Sequence, residues 1–149
     1  RTARFFVHAN RTNQRALIGF YAGTTYYTDP SSLTNIAALY LDSGQTTFRW
    51  GTNDGSGTIT SPTNLGANFP ANTDDTDLCE FQTYLEPGGA EIFYSLERVN
   101  TGDFASGSST SDLPATNTVL TPFVTMALGS TTGSSEQLHI IAVTVEQEI

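Results

Sequence analysis

The chain has 149 residues, a length that fits one domain over 1–149 with its own core. Its 15 acidic residues outnumber six arginines, and it has no lysine, so the formal net charge is −9. This balance disfavours nucleic-acid binding, because binding to phosphates needs clustered basic residues. No apolar run approaches the roughly 20 residues that cross a bilayer, so membrane insertion is not expected.

Strand signals recur along the chain with turn residues between them, and no segment keeps a helical period of 3.6 residues. The predicted strands are 3–8, 15–22, 36–41, 46–51, 57–60, 78–85, 90–99, 119–128 and 137–146. Nine strands of this kind predict an all-β fold with two antiparallel sheets packed as a sandwich.

The clearest predicted element is a hairpin in the second half. Over 79–85, apolar and polar side chains alternate, which predicts one buried face. A turn at Pro87, Gly88 and Gly89 follows, and the returning strand places Ile92, Tyr94 and Leu96 on one face and Phe93, Ser95 and Glu97 on the other.

The last strand, 137–146, is almost continuously apolar, so its buried face is not fixed by alternation. Strands of this type are covered on both sides. We expect the opposing sheet to cover one side and a neighbouring subunit the other, which predicts a homo-oligomer.

Three polar segments, 24–34, 61–77 and 101–118, are predicted to be surface loops, where binding residues often lie. If the domain binds sugar, the candidate residues are Trp50, Tyr26 and Tyr27, because an aromatic ring packs against the apolar face of a pyranose. The alternative for Trp50 is a place in the core, since it alternates with Phe48 on one strand.

Segment 72–77 is the densest acidic cluster and offers Asp74, Asp75 and Asp77 as oxygen ligands for Ca²⁺. It lacks the spacing and glycine of an EF-hand loop. A solvated turn is therefore the favoured interpretation, and no cofactor is predicted. The single cysteine, Cys79, excludes an intrachain disulfide and is interpreted as a buried, inert thiol.

No arrangement of acids resembles a hydrolytic centre. Glu80 and Glu86 are six residues apart, as are Glu91 and Glu97, which separates each pair by roughly 20 Å along a strand. Glycosidase carboxylates lie only about 5–9.5 Å apart. Glu86 and Glu91 flank one turn and are interpreted as solubilising. The sequence therefore predicts a protein that is not an enzyme.

Several short segments are similar to one family. In the first half they are 19–21 (GFY), 38–42 (ALYLD) and 48–55 (FRWGTNDG), and in the second half they are Asp77, 81–85, Gly88-Gly89, Phe93-Tyr94, Leu113-Pro114, 120–123 (LTPF) and 139–145. This order resembles the concanavalin-A-like jelly-roll domains of bacteriophage tail fibres, tailspikes and other virion appendages. One departure is Ser95-Leu96-Glu97, where the family often has Asn-Gly.

The resemblance implies a jelly-roll sandwich in a virion or extracellular setting, within a longer fibrous or virion chain. It also implies a homo-oligomer, with a trimer favoured, that contacts other virion proteins and a cell-surface polysaccharide. The predicted function is thus a non-enzymatic recognition module. Two alternatives stay open: a carbohydrate-active enzyme or its accessory lectin domain, and a purely structural capsid or tail protein without a ligand.

Overall fold

Ten β-strands form in the part of the chain that the structure, a computed structural model, describes: residues 2–7, 14–24, 28–71, 76–86, 88–128 and 138–146. They are β1 (Thr2–Val7), β2 (Gln14–Tyr21), β3 (Ile36–Leu41), β4 (Arg49–Asn53), β5 (Thr63–Asn64), β6 (Cys79–Leu85), β7 (Ile92–Arg98), β8 (Asp103–Ser109), β9 (Thr121–Leu128) and β10 (Leu138–Thr144). One 3-10 turn, Pro30–Ser32, is the only helical element in these ranges. None of the described residues forms a helix of the length and apolarity that spanning a membrane requires.

The strands pair into two antiparallel sheets of five, which confirms the predicted two-sheet β architecture. Sheet 1 has the order β10-β1-β6-β7-β8, and sheet 2 has the order β5-β4-β3-β2-β9. Within each sheet, consecutive strands form meanders, β6-β7-β8 in sheet 1 and β2-β3-β4-β5 in sheet 2. The last two strands return to the first two, since β10 pairs with β1 and β9 pairs with β2.

The inner core lies between the sheets and is built from large apolar side chains that alternate along each strand. Phe5 of β1 meets Phe48 edge to face, with ring centroids 5.8 Å apart. Trp50 of β4 stacks on Tyr94 of β7 at 4.8 Å and lies 6.0 Å from Phe81 of β6. Burying each such side chain contributes about 1.5–3 kcal/mol, so these contacts hold the two sheets together.

A second apolar layer, the outer cluster, covers the other face of sheet 2. It contains the buried residues Leu17, Tyr21, Ile36, Ala38, Tyr40 and Ile59. Ile59 comes from the loop after β4, and its amide donates to the carbonyl of Ser31 at 2.9 Å. Because both faces of the sheet are covered, all six residues of β3 are buried.

The β6–β7 hairpin has the predicted pairing. Cys79, Phe81 and Thr83 are buried while Gln82 and Tyr84 are exposed. In the turn, the amide of Gly89 donates to the carbonyl of Glu86 at 2.9 Å. Gly88 adopts a φ of 69°, a conformation that glycine tolerates, and Pro87 lies outside the described residues.

Segment 57–60 is not a strand, contrary to the prediction. The chain bends there, and Gly57 has a φ of 69°. Ile59 alone points inward and lies over Gly51, where an added Cβ would come within 2.9 Å of the Ile59 side chain. The segment therefore contributes a single anchoring residue, and the next strand of sheet 2 is the short β5.

Segment 101–118 was predicted as a loop, yet it contains β8, the edge strand of sheet 1. Serine, glycine and alanine have low strand propensity, and these residues fill most of β8. A small residue is needed at Gly107, because a Cβ there would lie 3.0 Å from the Tyr94 ring. Pairing with β7, which Gly107 permits beside the Tyr94 ring, therefore overrides the low strand propensity of these residues.

Candidate functional site

The aromatic residues named from the sequence for sugar binding lie in two different places. Trp50 is 1% exposed, and its indole N–H donates to the Ser109 hydroxyl at 2.9 Å. Trp50 therefore lies in the core, which was the alternative to a sugar-binding role, because both faces of its ring are covered. Tyr26 and Tyr27 lie outside the described residues.

Three other aromatic side chains stand exposed on the outer face of sheet 1. Tyr84 on β6 is 47% exposed, Phe93 on β7 is 46% exposed, and Phe104 on β8 is 63% exposed. Tyr84 and Phe93 are directly opposite each other in the register. Phe104 is opposite Glu97, four residues along β7 from Phe93, which corresponds to roughly 13 Å along the sheet. We call these three residues the aromatic patch.

Polar side chains separate the two ends of the aromatic patch. Gln82, Ser95 and Ser106 are aligned across β6, β7 and β8 on the same face. Side-chain amides and hydroxyls both donate and accept hydrogen bonds. The face therefore presents apolar rings at its ends and hydrogen-bonding groups between them.

Two carboxylates also lie on this face, because Glu80 and Glu97 are direct partners in the β6–β7 register. Their Cβ atoms are therefore about 5 Å apart. Glu80 accepts hydrogen bonds from Gln82 at 2.9 Å and from Arg4 at 2.6 Å. The hydrogen bond from Gln82 has the largest effect and lowers the pKa of the Glu80 carboxyl; burial opposes it, and the hydrogen bond and charge of Arg4 lower the pKa further. Glu80 is thus held in its ionised form.

A hydroxyl-lined groove of about 220 Å³ lies at the edge of the sandwich beside β8. Its walls come from both sheets and consist of Thr52, Ser61, Thr63, Ser108, Ser109, Thr110, Ser111 and Asp112. Ser108 is the residue opposite Phe93 in the register, so the groove begins where the aromatic patch ends.

Asp112 fixes the shape of this groove. Its backbone has a φ of 56°, which is uncommon for a residue other than glycine. The side chain accepts from the amide of Asp54 at 3.2 Å, and from the amide and the hydroxyl of Thr60, each at 3.0 Å. These bonds tie the segment after β8 to the loop after β4, so the groove is held by residues of both sheets.

Of the three calcium candidates, only Asp77 lies in the described residues. It pairs with the Arg98 guanidinium, which also donates to Asp103 at 3.3 Å and to the carbonyl of Asn68 at 2.8 Å. The Asp77 carboxylate therefore already has a cationic partner. Across the described ranges, no three His, Cys, Asp or Glu side chains come together to hold a metal ion.

Cys79 is buried on the inner face of β6, 3% exposed. Burial raises the pKa of its thiol to about 11, an effect that Arg98 partly offsets and Asp77 reinforces. Since the thiolate is the reactive form, we expect Cys79 to react with a thiol-specific reagent at pH 8 about a hundredfold more slowly than an exposed cysteine. Labelling with and without urea measures this, and rapid labelling of the native protein would contradict the buried position.

Alternation along the hairpin predicts outward positions for Phe93 and Tyr84, but neither ring is among the site residues predicted from the sequence. The sequence signal for a binding face is that two aromatic rings occupy outward positions on adjacent strands. Phe104 is also absent from the predicted site residues, because segment 101–118 is predicted as a loop.

Comparison with protein-family models, with curated proteins and with solved structures finds no match to this chain.

Proposed function

We propose that this chain is a non-enzymatic structural and recognition module that binds a glycan on the outer face of sheet 1. The observation that carries the proposal is the aromatic patch of Tyr84, Phe93 and Phe104, all 46% exposed or more on a single sheet face. Exposed large apolar side chains grouped on one surface mark interaction sites more often than scattered ones do.

The chemistry of the face fits a polysaccharide chain. A pyranose ring presents C–H groups that pack on an aromatic face and hydroxyls that hydrogen-bond at its rim. The roughly 13 Å between the Phe93 and Phe104 positions matches the length of a short oligosaccharide, with Gln82, Ser95 and Ser106 in between. The adjacent groove adds further hydroxyls at the Ser108 end.

The negative charge of the chain determines which class of glycan this face can bind. The chain has a formal net charge of −9, and Glu80 and Glu97 lie on the binding face itself. Like charges repel a sulfated or carboxylated polymer. The ligand is therefore a neutral polysaccharide.

The setting we propose is a virion appendage, with a jelly-roll fold of the concanavalin-A-like type. Support comes from the segment resemblance, the two antiparallel five-stranded sheets, and a content of charged residues of only 14%. In this setting the domain is displayed outside the cell as a homo-oligomer, for which the resemblance favours three copies, beside other virion proteins.

The opposed pair Glu80 and Glu97 favours one second candidate, a carbohydrate-active enzyme or its accessory lectin domain. A glycosidase needs one carboxyl that stays protonated to act as the acid, which requires a raised pKa. The pKa of Glu80 is lowered instead, and Arg4 pairs with it at 2.6 Å. Glu80 is therefore not that acid, and an enzyme would have to use Glu97 in this role.

Glycan-array screening followed by calorimetry with one neutral hit tests the proposal. We expect Tyr84→Ala and Phe93→Ala each to weaken binding by about tenfold or more, because stacked aromatic side chains are typical binding hot spots. Product analysis of the same mixtures should show the glycan intact.

Two variants serve as controls. Tyr84→Phe keeps the ring and should retain most of the affinity. Val119→Ala changes a side chain that is 80% exposed but lies outside sheet 1, and it should bind as the unchanged protein does. Absence of any glycan hit would support the purely structural alternative, and cleavage of the bound glycan that Glu97→Gln abolishes would support the enzyme.

A further inference from the structure

Strand β10 is an edge strand whose outer side is open. It pairs with β1 alone in sheet 1, so within the described residues its other row of backbone N–H and C=O groups faces no strand. An open row of this kind is a template for pairing with another chain.

The side chains of β10 and the residue after it are unusually apolar for an exposed edge. Ile140, Ile141, Val143 and Val145 are between 41% and 55% exposed, and no Asp, Glu, Lys or Arg occurs from 138 to 145. Ile141 is the extra residue of a bulge, since Arg4 pairs with Ala142 and Phe5 pairs with Ile140. The opposing sheet therefore does not cover this strand as the sequence analysis expected.

The other three sheet edges each carry a feature that discourages pairing. Strand β5 has only two residues, β9 contains Pro122, and β8 begins at Asp103 and consists mainly of small residues. Short length, proline, charge and weak strand formers all protect natural sheet edges. Only β10 combines seven residues and an apolar, uncharged surface with the absence of proline.

We propose that β10 pairs antiparallel with β10 of a second copy of this chain. The open row of backbone groups can pair only with an extended strand, and the exposed apolar side chains favour a partner strand that is also apolar. Strand β10 itself meets both conditions. Antiparallel pairing about a two-fold axis is self-complementary and closes at two copies. It replaces the trimer that the resemblance implies.

Charge favours this orientation over a parallel one. Glu146 follows the apolar stretch directly. A parallel arrangement places the Glu146 carboxylates of all copies at one end, where they repel each other. In an antiparallel pair centred on Ile141 they lie roughly 33 Å apart, because five strand residues separate each Glu146 from the centre.

The paired sheets form one continuous ten-stranded sheet, since each sheet 1 contributes five strands. Its outer face then carries two copies of the aromatic patch. A dimer of this form engages a repeating polymer at two points, which raises avidity without any new contact. The pairing itself does not depend on glycan binding.

Light scattering and sedimentation velocity over a range of protein concentrations test the pairing. The unchanged protein is expected to have twice the mass of one chain. The double variant Ile141→Lys with Val145→Lys should be a monomer with an unchanged circular dichroism spectrum. In a pair centred on Ile141, the two substituted side chains at position 141 lie opposite each other, and those at position 145 add a charge near each end of the paired strands. Val119→Lys, a change at an exposed site outside sheet 1, should stay dimeric.

A monomer at all concentrations, a trimer, or a double variant that remains dimeric would each overturn the proposal. A trimer would leave the proposed recognition function intact, and so would a monomer that binds glycan. If the double variant fails to fold, hydrogen exchange of the unchanged protein tests whether β10 pairs with a second copy. Amides of 138–145 should become more protected as concentration rises, and protection that is independent of concentration would contradict β10 pairing.

Discussion

Replacing Trp50 by alanine is expected to lower the free energy of unfolding by about 3–5 kcal/mol. The side chain is 1% exposed, stacks on Tyr94 at 4.8 Å and donates to Ser109 at 2.9 Å. Removing it opens a cavity between the sheets and leaves the Ser109 hydroxyl without its donor. Since domains are stable by about 5–15 kcal/mol, this change alone removes a large share of the total.

Urea unfolding followed by circular dichroism measures the effect, because Trp50 is the only tryptophan and its fluorescence is lost in the variant. Tyr84→Ala is the matched control, since it also removes an aromatic ring but one that is 47% exposed. The control should change stability by less than about 1 kcal/mol. A loss in Trp50→Ala no larger than in the control would show that the ring is not part of the core.

Gly19→Ala is expected to lower the free energy of unfolding by about 3 kcal/mol. Gly19 has a φ of 153°, and it pairs with Ala38 on one side and Phe123 on the other. A Cβ there would lie 2.4 Å from the Ala37 carbonyl oxygen and 2.7 Å from the Ala38 Cα. Both are backbone atoms of the central strand β3, so backbone strain and overpacking act together, at about 1–3 kcal/mol each.

Gly44→Ala separates these two effects. Gly44 also has a positive φ, 79°, but nothing lies within 4 Å of an added Cβ. Only the strain remains, and the expected loss is about 1 kcal/mol. Thermal or urea unfolding of both variants gives the comparison, and equal losses would mean that the approach of β2 to β3 is looser than these distances indicate.

The predictable part of the fold is local. The β6–β7 hairpin could be predicted because alternation, a glycine turn and a second alternation follow one another within 20 residues. Strand β3 was predicted at its observed bounds because six apolar residues stand between turn signals. In both cases the sequence around the element contains the information that forms it.

The remainder depends on distant residues. Strand β8 pairs with β7 over its whole length, and Gly107 leaves room there for the Tyr94 ring, which no local propensity reveals. The outward side of the hairpin was predictable, but the exposure of Tyr84 and Phe93 depends on whether another layer covers sheet 1. Sheet 2 does have such a layer, in the outer cluster around Ile59. The candidate site could therefore be recognised only once it was known that the outer face of sheet 2 is covered and that of sheet 1 is not.

The pairing of β1 with β10 has a mechanical consequence. Thr2 lies opposite Thr144, and Val7 lies opposite Leu138. A tensile load applied at Thr2 and Thr144 therefore separates the two strands from one end, and each transverse hydrogen bond breaks in turn. The same load applied at Thr2 and Leu138 acts along the strands and stretches every bond at once. When the domain is pulled through Thr2 and Thr144, the pairing of β1 with β10 is thus the place where it opens first.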